Sequence, residues 1–271
     1  MANHLSVITT TYNAEQYVEE SIRSILQQTH SDFEYVVVDD GSNDGTLARL
    51  ENLNDPRLRV ILGGRIGRSR ALNLAWQSSQ GTLIAIQDAD DLAFPDRLEV
   101  QLQIMKQEPH IAVLAASQIL INEEEEYSRL VPQGGTVAVR DMTEYLQHFN
   151  PISHTSLLIK RSVLEAVYGY DENLECVVDW DLYVRLVARG FRVYECKKPL
   201  VLKRIHRHQY FEAKNRFSYV VTCAKIQAKA ISCFGGNPLR FTWLMPWFVY
   251  RLLPRNFRMR LRFTMQKFLD K

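Results

Sequence analysis

The chain has 271 residues, 46% of them hydrophobic and 24% charged. That is enough apolar sequence for one large domain with an appendage or for two small domains, and too much for a disordered chain. A formal net charge of +2 excludes recognition of nucleic acid by bulk charge, so no nucleic-acid partner is expected.

Residues 5–10 read as a first strand. Asn13 then stands where a helix N-cap would, and Gln16 three residues later completes a capping-box pattern. Val18, Ile22, Ile25 and Leu26 fall on one face of that helix. Residues 33–38 form a second strand, nearly all apolar, as a strand covered on both faces must be. Residues 57–62 form a third. A helix is predicted over 67–79, a strand over 82–86, a helix over 95–107 with Pro95 in its first turn, and a strand over 111–116. This alternation implies an α/β fold built on a mostly parallel, doubly wound sheet with helices on both faces.

Beyond residue 117 the pattern is less regular. Glu123 to Glu126 read as a solvated hairpin tip or loop. Helices are predicted over 161–167 and 180–188. The four cysteines, Cys176, Cys196, Cys223 and Cys233, show no Cys-x-x-Cys spacing, which argues against structural zinc or disulfides and for a reducing, cytoplasmic compartment. The chain opens without a charged and then apolar leader, so no signal peptide is expected. No apolar run reaches about 18 residues, so no membrane-spanning helix is expected either.

Polar clusters close three of the predicted strands: Thr10-Thr11-Tyr12-Asn13, Asp39-Asp40-Gly41-Ser42 and Asp88-Ala89-Asp90-Asp91. Ligands of doubly wound sheets bind at strand C-termini, so the three clusters should converge on one crevice. The carboxylates of Asp88, Asp90 and Asp91 repel one another unless water or a cation neutralises them. Oxygen ligands of this kind suit Mg²⁺ or Mn²⁺ shared with substrate phosphates. The competing reading is an acidic loop that leads into a helix. Neither Gly-x-Gly-x-x-Gly nor a phosphate-binding Gly-x-x-x-x-Gly-Lys-Ser/Thr occurs, which leaves a metal as the expected neutraliser of phosphate.

Three segments, Ser6-Val7-Ile8-Thr9-Thr10-Thr11-Tyr12-Asn13, Val38-Asp39-Asp40-Gly41-Ser42-Asn43-Asp44-Gly45-Thr46 and Asp88-Ala89-Asp90-Asp91, resemble those of the family 2 glycosyltransferases, as does Phe94-Pro95-Asp96-Arg97-Leu98. The resemblance runs over about residues 5–205. It implies a GT-A fold, with a Rossmann-like sheet, and inverting transfer of a sugar from a nucleotide-sugar donor, most often a UDP-sugar. On this resemblance Thr10, Tyr12 and Asp40 would line the nucleoside pocket, with Asp40 accepting from the base N–H and Tyr12 packing on its ring. An Asx turn is the competing role for Asp40, and Asp39 is expected to orient the turn. Asp88 would face the ribose or a metal-bound water, and Asp90 would bind Mn²⁺ or Mg²⁺ directly. That ion would stabilise charge on the departing nucleotide. Arg70 would lie near the donor, or else on a solvated helix face.

The resemblance also implies a base that takes the acceptor proton. Asp179, in Val177-Val178-Asp179-Trp180-Asp181, holds that position, although Val178 replaces the usual preceding Glu. Asp181 would be a helix N-terminal carboxylate, and the competing reading makes both residues caps. His154 matches a position on the acceptor side, against a purely structural role. Arg204 and His206 fit loosely an Arg-x-His segment that closes over donor phosphates or metal, against plain surface basicity.

From residue 237 onward the sequence carries eight Arg or Lys residues and one acid, Asp270. Residues 241–253 are apolar and aromatic, and 255–263 alternate basic with apolar side chains. This basic, aromatic tail, expected to be helical, would lie in an anionic membrane interface, pack back on the domain or form an oligomer contact. The expected organisation is a glycosyltransferase domain over 1–205, with a nucleotide-sugar half to about 117 and an acceptor half over 118–205, and an extension over 206–271. The expected acceptor is a saccharide or lipid-linked saccharide of a cell-surface polysaccharide or lipopolysaccharide, used at the cytoplasmic membrane face. A non-catalytic nucleotide-sugar-fold module that docks through the tail is the rival reading. A nucleotidyltransferase is disfavoured because residues 5–13 contain no Gly, Lys or Arg.

Overall fold

A computed structural model describes residues 4–122, 137–205 and 216–234. Its first part runs β1 (Leu5–Thr11), α1 (Val18–Leu26), β2 (Phe33–Asp39), α2 (Thr46–Glu51), β3 (Leu58–Leu62), α3 (Arg68–Ser78), β4 (Leu83–Ile86), β5 (Leu92–Ala93), α4 (Arg97–Gln107) and β6 (Val113–Asn122). After it come β7 (Val139–Asp141), 3₁₀ turns at Thr143–Gln147 and His154–Ser156, β8 (Leu158–Lys160), α5 (Arg161–Ala166), α6 (Val178–Ala188), β9 (Tyr194–Ile205) and α7 (Arg216–Cys233). The Glu123–Glu126 run, His206 and the basic tail lie outside the described residues.

These strands form one sheet in the order β3-β2-β1-β4-β8-β6-β9-β5, with β7 also on β9. β1 pairs in parallel with β2 and β4, and β2 with β3. β8 inserts antiparallel between β4 and β6, and β9 returns parallel to β6. Thus β1, β2, β3, β4, β6 and β9 share one direction, which is the mostly parallel sheet that the alternation predicts.

The continuous apolar runs of β1, β2 and β4 follow from burial of both faces. Successive side chains of a strand point to opposite sides. Leu5, Val7, Phe33, Tyr35, Val37, Leu83 and Ala85 meet Val18, Ile22 and Ile25 of α1 on one side. Ile8, Val36, Val38, Ile84 and Ile86 share the opposite cluster with Ala71, Leu72 and Trp76 of α3, Trp180 and Leu182 of α6, and Cys223, Ile226 and Ala230 of α7.

Two helix starts differ from expectation. α1 begins after Tyr17, and Asn13 does not cap it. Asn13 instead sits at φ 50°, a left-handed conformation that Asn tolerates, and clasps the loop after β2. Its N–H donates to Ser42 Oγ, and its Oδ1 accepts from Asn43 N. α4 begins at Arg97, so Pro95 precedes the helix rather than opening it. The backbone there is already committed, since Phe94 N donates to Leu200 O and Pro95 O accepts from Thr29 N.

Arg97 is fully buried and stitches this region together. Its guanidinium donates to Gln101 Oε1, Gln87 Oε1 and Ile86 O at 2.7–3.1 Å. Burial pulls it down to about 10, so it stays charged at neutral pH. Each hydrogen bond from a charged donor of this kind contributes about 1.5–3 kcal/mol, and removing the side chain would leave its buried acceptors unsatisfied. Arg97 therefore contributes to the rigidity of the turn that follows β4.

Candidate active site

The loops after β1, β2 and β4 open into one cleft of about 2550 Å³. Pockets for a single small ligand run to about 300–1,000 Å³, so this cleft has room for two reactants. Of the residues singled out in the sequence, it brings together Thr10, Tyr12, Asp40, Arg70, Asp88, Asp90, His154 and Asp179.

The acidic turn after β4 is built from its backbone outward. Gln87, held by Arg97, donates from Nε2 to Asp91 O at 2.7 Å and to Ser21 Oγ at 3.2 Å. Asp91 points inward, and its Oδ1 accepts from Arg204 N at 2.9 Å. Burial pushes the Asp91 carboxyl well above the usual range, and the charges of Asp90 and Asp88 push it further. Burial alone would raise Asp88 too. Arg68, whose Nη2 lies 2.8 Å from Asp88 Oδ1, outweighs that together with His154 and Lys203 and holds Asp88 below the usual carboxylate range.

This crowding bears on a metal. Among the described residues no three His, Cys, Asp or Glu side chains converge as an all-protein metal site requires. Asp88 and Asp90 do line the cleft, beside the buried Asp91 carboxyl. Hard carboxylate oxygens in this number fit a Mg²⁺ or Mn²⁺ ion that completes its shell with phosphate oxygens and water.

On the β1–β2 side, Asp40 accepts backbone N–H bonds from Ile66 at 2.6 Å and Gly67 at 2.9 Å. Gly67 has φ 89°, a conformation that glycine adopts without strain. Each Asp40 oxygen keeps a lone pair for a further donor. The turn is held by Asp39 instead, which accepts from Ser42 N and Oγ three residues on. Tyr12 is 42% exposed, with the Arg65 guanidinium 3.8 Å from its ring centroid, so a flat cationic and aromatic surface borders the cleft.

Three predicted positions have neighbours that the sequence did not reveal. Arg70 pairs with Glu172 at 3.4 Å on the rim, and Arg68, two residues earlier, is the arginine beside the acidic turn. His154 is buried, with Nε2 2.9 Å from the Tyr170 hydroxyl and Nδ1 3.6 Å from Asp88 Oδ1. Arg204 does not line the cleft. Its side chain is buried behind the turn, donating to Asp90 O at 3.1 Å and to Glu20 at 2.8 Å. Lys203, one residue earlier on β9, lines the cleft in its place.

In the same cleft, Asp179 lies in the first turn of α6, where its Oδ2 accepts from Asn150 Nδ2 at 2.6 Å. Val178, one residue earlier, is 3% exposed and part of the core, so an apolar residue there serves packing. Asp181 is buried and pairs with Arg185 at 2.6 Å and with Lys229 of α7 at 2.8 Å, tying the two helices together. Sequence reasoning missed Arg68, Asn150 and Lys203. Only Lys203 carried a local signal, since reading 194–205 as a strand would have separated it from Arg204.

Comparison with known proteins adds three findings. The profile of the family described as Glycosyl transferase family 2 matches residues 6–167. An uncharacterized glycosyltransferase of Haemophilus influenzae is 32% identical over 76% of this chain and 66% of its own length, so the chain spans about two thirds of that relative. A Bacillus subtilis protein described as a teichuronic acid biosynthesis glycosyltransferase is 40% identical over 37% of this chain and 41% of its own. In fold, the chain is similar to S. aureus TarS 1–349, crystallised with UDP-GlcNAc, with a TM-score of 0.69 and 20% identity over 91% of this chain and 72% of that one.

Proposed function

Because this chain belongs to glycosyl transferase family 2, we propose that it transfers a sugar, with inversion, from a nucleotide-sugar donor, a UDP-sugar first of all, to a hydroxyl of a saccharide acceptor. The observation that carries this reading is that Asp88, Asp90 and Asp179 all line one cleft with room for two reactants. In this reading Thr10, Tyr12 and Asp40 receive the nucleoside, with Tyr12 against the base and Asp40 accepting from its N–H. Asp90 would hold Mn²⁺ or Mg²⁺ together with the diphosphate, and Asp88 would face the ribose or a metal-bound water. When bound, such an ion withdraws charge from the leaving diphosphate. Arg70, at the rim beside Glu172, is assigned to the donor side.

Asp179 accepts the proton of the acceptor hydroxyl as its oxygen bonds to the anomeric carbon. The bond from that carbon to the diphosphate breaks, and the nucleoside diphosphate leaves on the opposite face. One displacement of this kind inverts the anomeric centre. His154 supports the Asp88 carboxylate, and Arg204 braces the turn from behind. The nucleotide half runs to about residue 117, and the acceptor half continues over 118–205 with α7 packed against it.

A saccharide of a cell-surface polysaccharide is the proposed acceptor class, supported by the teichuronic acid relative. No described helix is long and apolar enough to cross a membrane. The basic, aromatic stretch from 237 to 271 would instead hold the protein on the anionic cytoplasmic face. Co-sedimentation with anionic vesicles, lost at high salt and lost on truncation after residue 236, is the expected result; sedimentation that ignores lipid charge would overturn that part.

Calorimetric titration of UDP, with GDP and dTDP beside it, in Mn²⁺ and in EDTA, tests the donor site. Metal-dependent UDP binding, followed by sugar transfer from a UDP-sugar, is expected. Tight UDP binding without transfer from any UDP-sugar would favour the non-catalytic module. A folded protein that binds no nucleotide would overturn the reading.

A further inference from the structure

Asn150 ends a short loop that carries no recognised motif, yet its side chain is the hydrogen-bond donor to Asp179. The contact is 2.6 Å from Nδ2 to Asp179 Oδ2. The amide can face only one way. Its Oδ1 accepts from Ile152 N at 3.2 Å, so a flipped amide would set an oxygen against a carboxylate and an NH₂ against an N–H. The loop is tied down from two other elements. Trp180 Nε1 of α6 donates to Leu146 O at 2.8 Å, and Gln227 Nε2 of α7 donates to His148 O at 3.0 Å.

We propose that Asn150 is a positioning residue for the base: its one-way amide donor fixes the Asp179 carboxylate in one orientation at the cleft. The proposal rests on the reading of Asp179 as the base. The physical reason is that a donor whose own amide is locked by the Ile152 N–H offers the carboxylate a single hydrogen-bonded orientation, whereas Val178 on the same helix offers no polar alternative. Other groups also act on Asp179. Arg68 faces it from α3, Tyr183 from its own helix, and Tyr170 and Cys176 from the connection before it. Asp181, two residues on, is neutralised by Arg185 and Lys229 and leaves Asp179 to its own partners. The loop, inside the matched residues 6–167, thereby holds Asp179 of α6, which lies beyond them.

The test uses an isosteric change. Asn150→Asp keeps the acceptor for Ile152 N–H and replaces the donor facing Asp179 with a second carboxylate. It is expected to lower kcat at pH 7 by about 10-fold or more, within the range of a general base's whole contribution. Donor KM should stay within a factor of about three, and the acid limb of kcat/KM should move to higher pH. Thermal unfolding gives a readout independent of activity. Asn150→Asp should lower Tm at pH 7 by about 2–4 °C, the scale of a 1 kcal/mol loss in a domain of this size. That deficit should shrink toward pH 4, as one of the two facing carboxyls takes up a proton. The double variant Asn150→Asp, Asp179→Asn restores a donor–acceptor pair with the roles exchanged, and should recover the Tm without recovering transfer. An unmoved acid limb with wild-type kcat, or a double variant no more stable than Asn150→Asp alone, would overturn the proposal. If Asp179→Asn alone keeps near-normal transfer while the Tm cycle closes as expected, the base assignment fails and Asn150 is left a structural contact, which also overturns it.

Discussion

Asp179→Asn is expected to cut the rate of sugar transfer by at least about 10²-fold, the usual scale for loss of a general base, with donor affinity unchanged. The substitution is mild for the fold. Asn150 Nδ2 keeps an amide oxygen to donate to, and Trp180 and Leu182 go on anchoring α6 in the core. The substitution leaves Asp88, Asp90 and Asp91 in place, so the donor site keeps its residues. Kcat with saturating UDP-sugar, set beside the UDP dissociation constant, separates the two effects. Near-normal transfer by a folded variant would remove Asp179 from the mechanism. Loss of UDP affinity in step with transfer would mean that the residue serves the donor instead.

Asp90→Asn is expected to bring UDP affinity in Mn²⁺ down to the value found in EDTA, and to abolish transfer with it. Asn keeps one weak oxygen donor but removes the charge that a hard divalent ion requires. The turn itself should survive, because it is held by backbone contacts: Gln87 Nε2 to Asp91 O, and Arg204 Nε to Asp90 O. Titration of UDP in both buffers reads the effect directly. Metal-dependent affinity equal to that of the wild type would sink the metal assignment to Asp90 and move it to Asp88, whose carboxylate is already engaged by Arg68. Arg68→Met then offers a contrast. It should leave the metal dependence in place while relieving Asp88 of its counter-ion, so a lost metal dependence in that variant would point away from Asp90 as well.

The core strands and the cleft were legible because their causes are local. A strand's side chains alternate, so Leu5-Ser6-Val7-Ile8 reveals two buried faces from four residues. A parallel arrangement then places every strand's C-terminal loop on one edge, and the polar clusters after β1, β2 and β4 had to meet there. The short α2 and the three-residue β8 escaped notice because neither is long enough to show a period. β8 exists only because β4 and β6 leave a gap that it fills, and nothing within residues 158–160 announces this.

The sequence by itself determined the fold class, the edge of the sheet on which the candidate cleft opens and the residue types gathered there. What only the tertiary structure decided is which side chain meets which. Arg68 rather than Arg70 reaches Asp88, Arg204 turns inward to Asp90 across 114 residues while Lys203 faces the cleft, and Asn150 rather than a neighbour of Asp179 on its own helix becomes its donor. The physical reason is that burial periodicity is imposed by the backbone within one element. The direction and partner of a charged side chain are set instead by elements that are distant in the chain and are brought together only by packing.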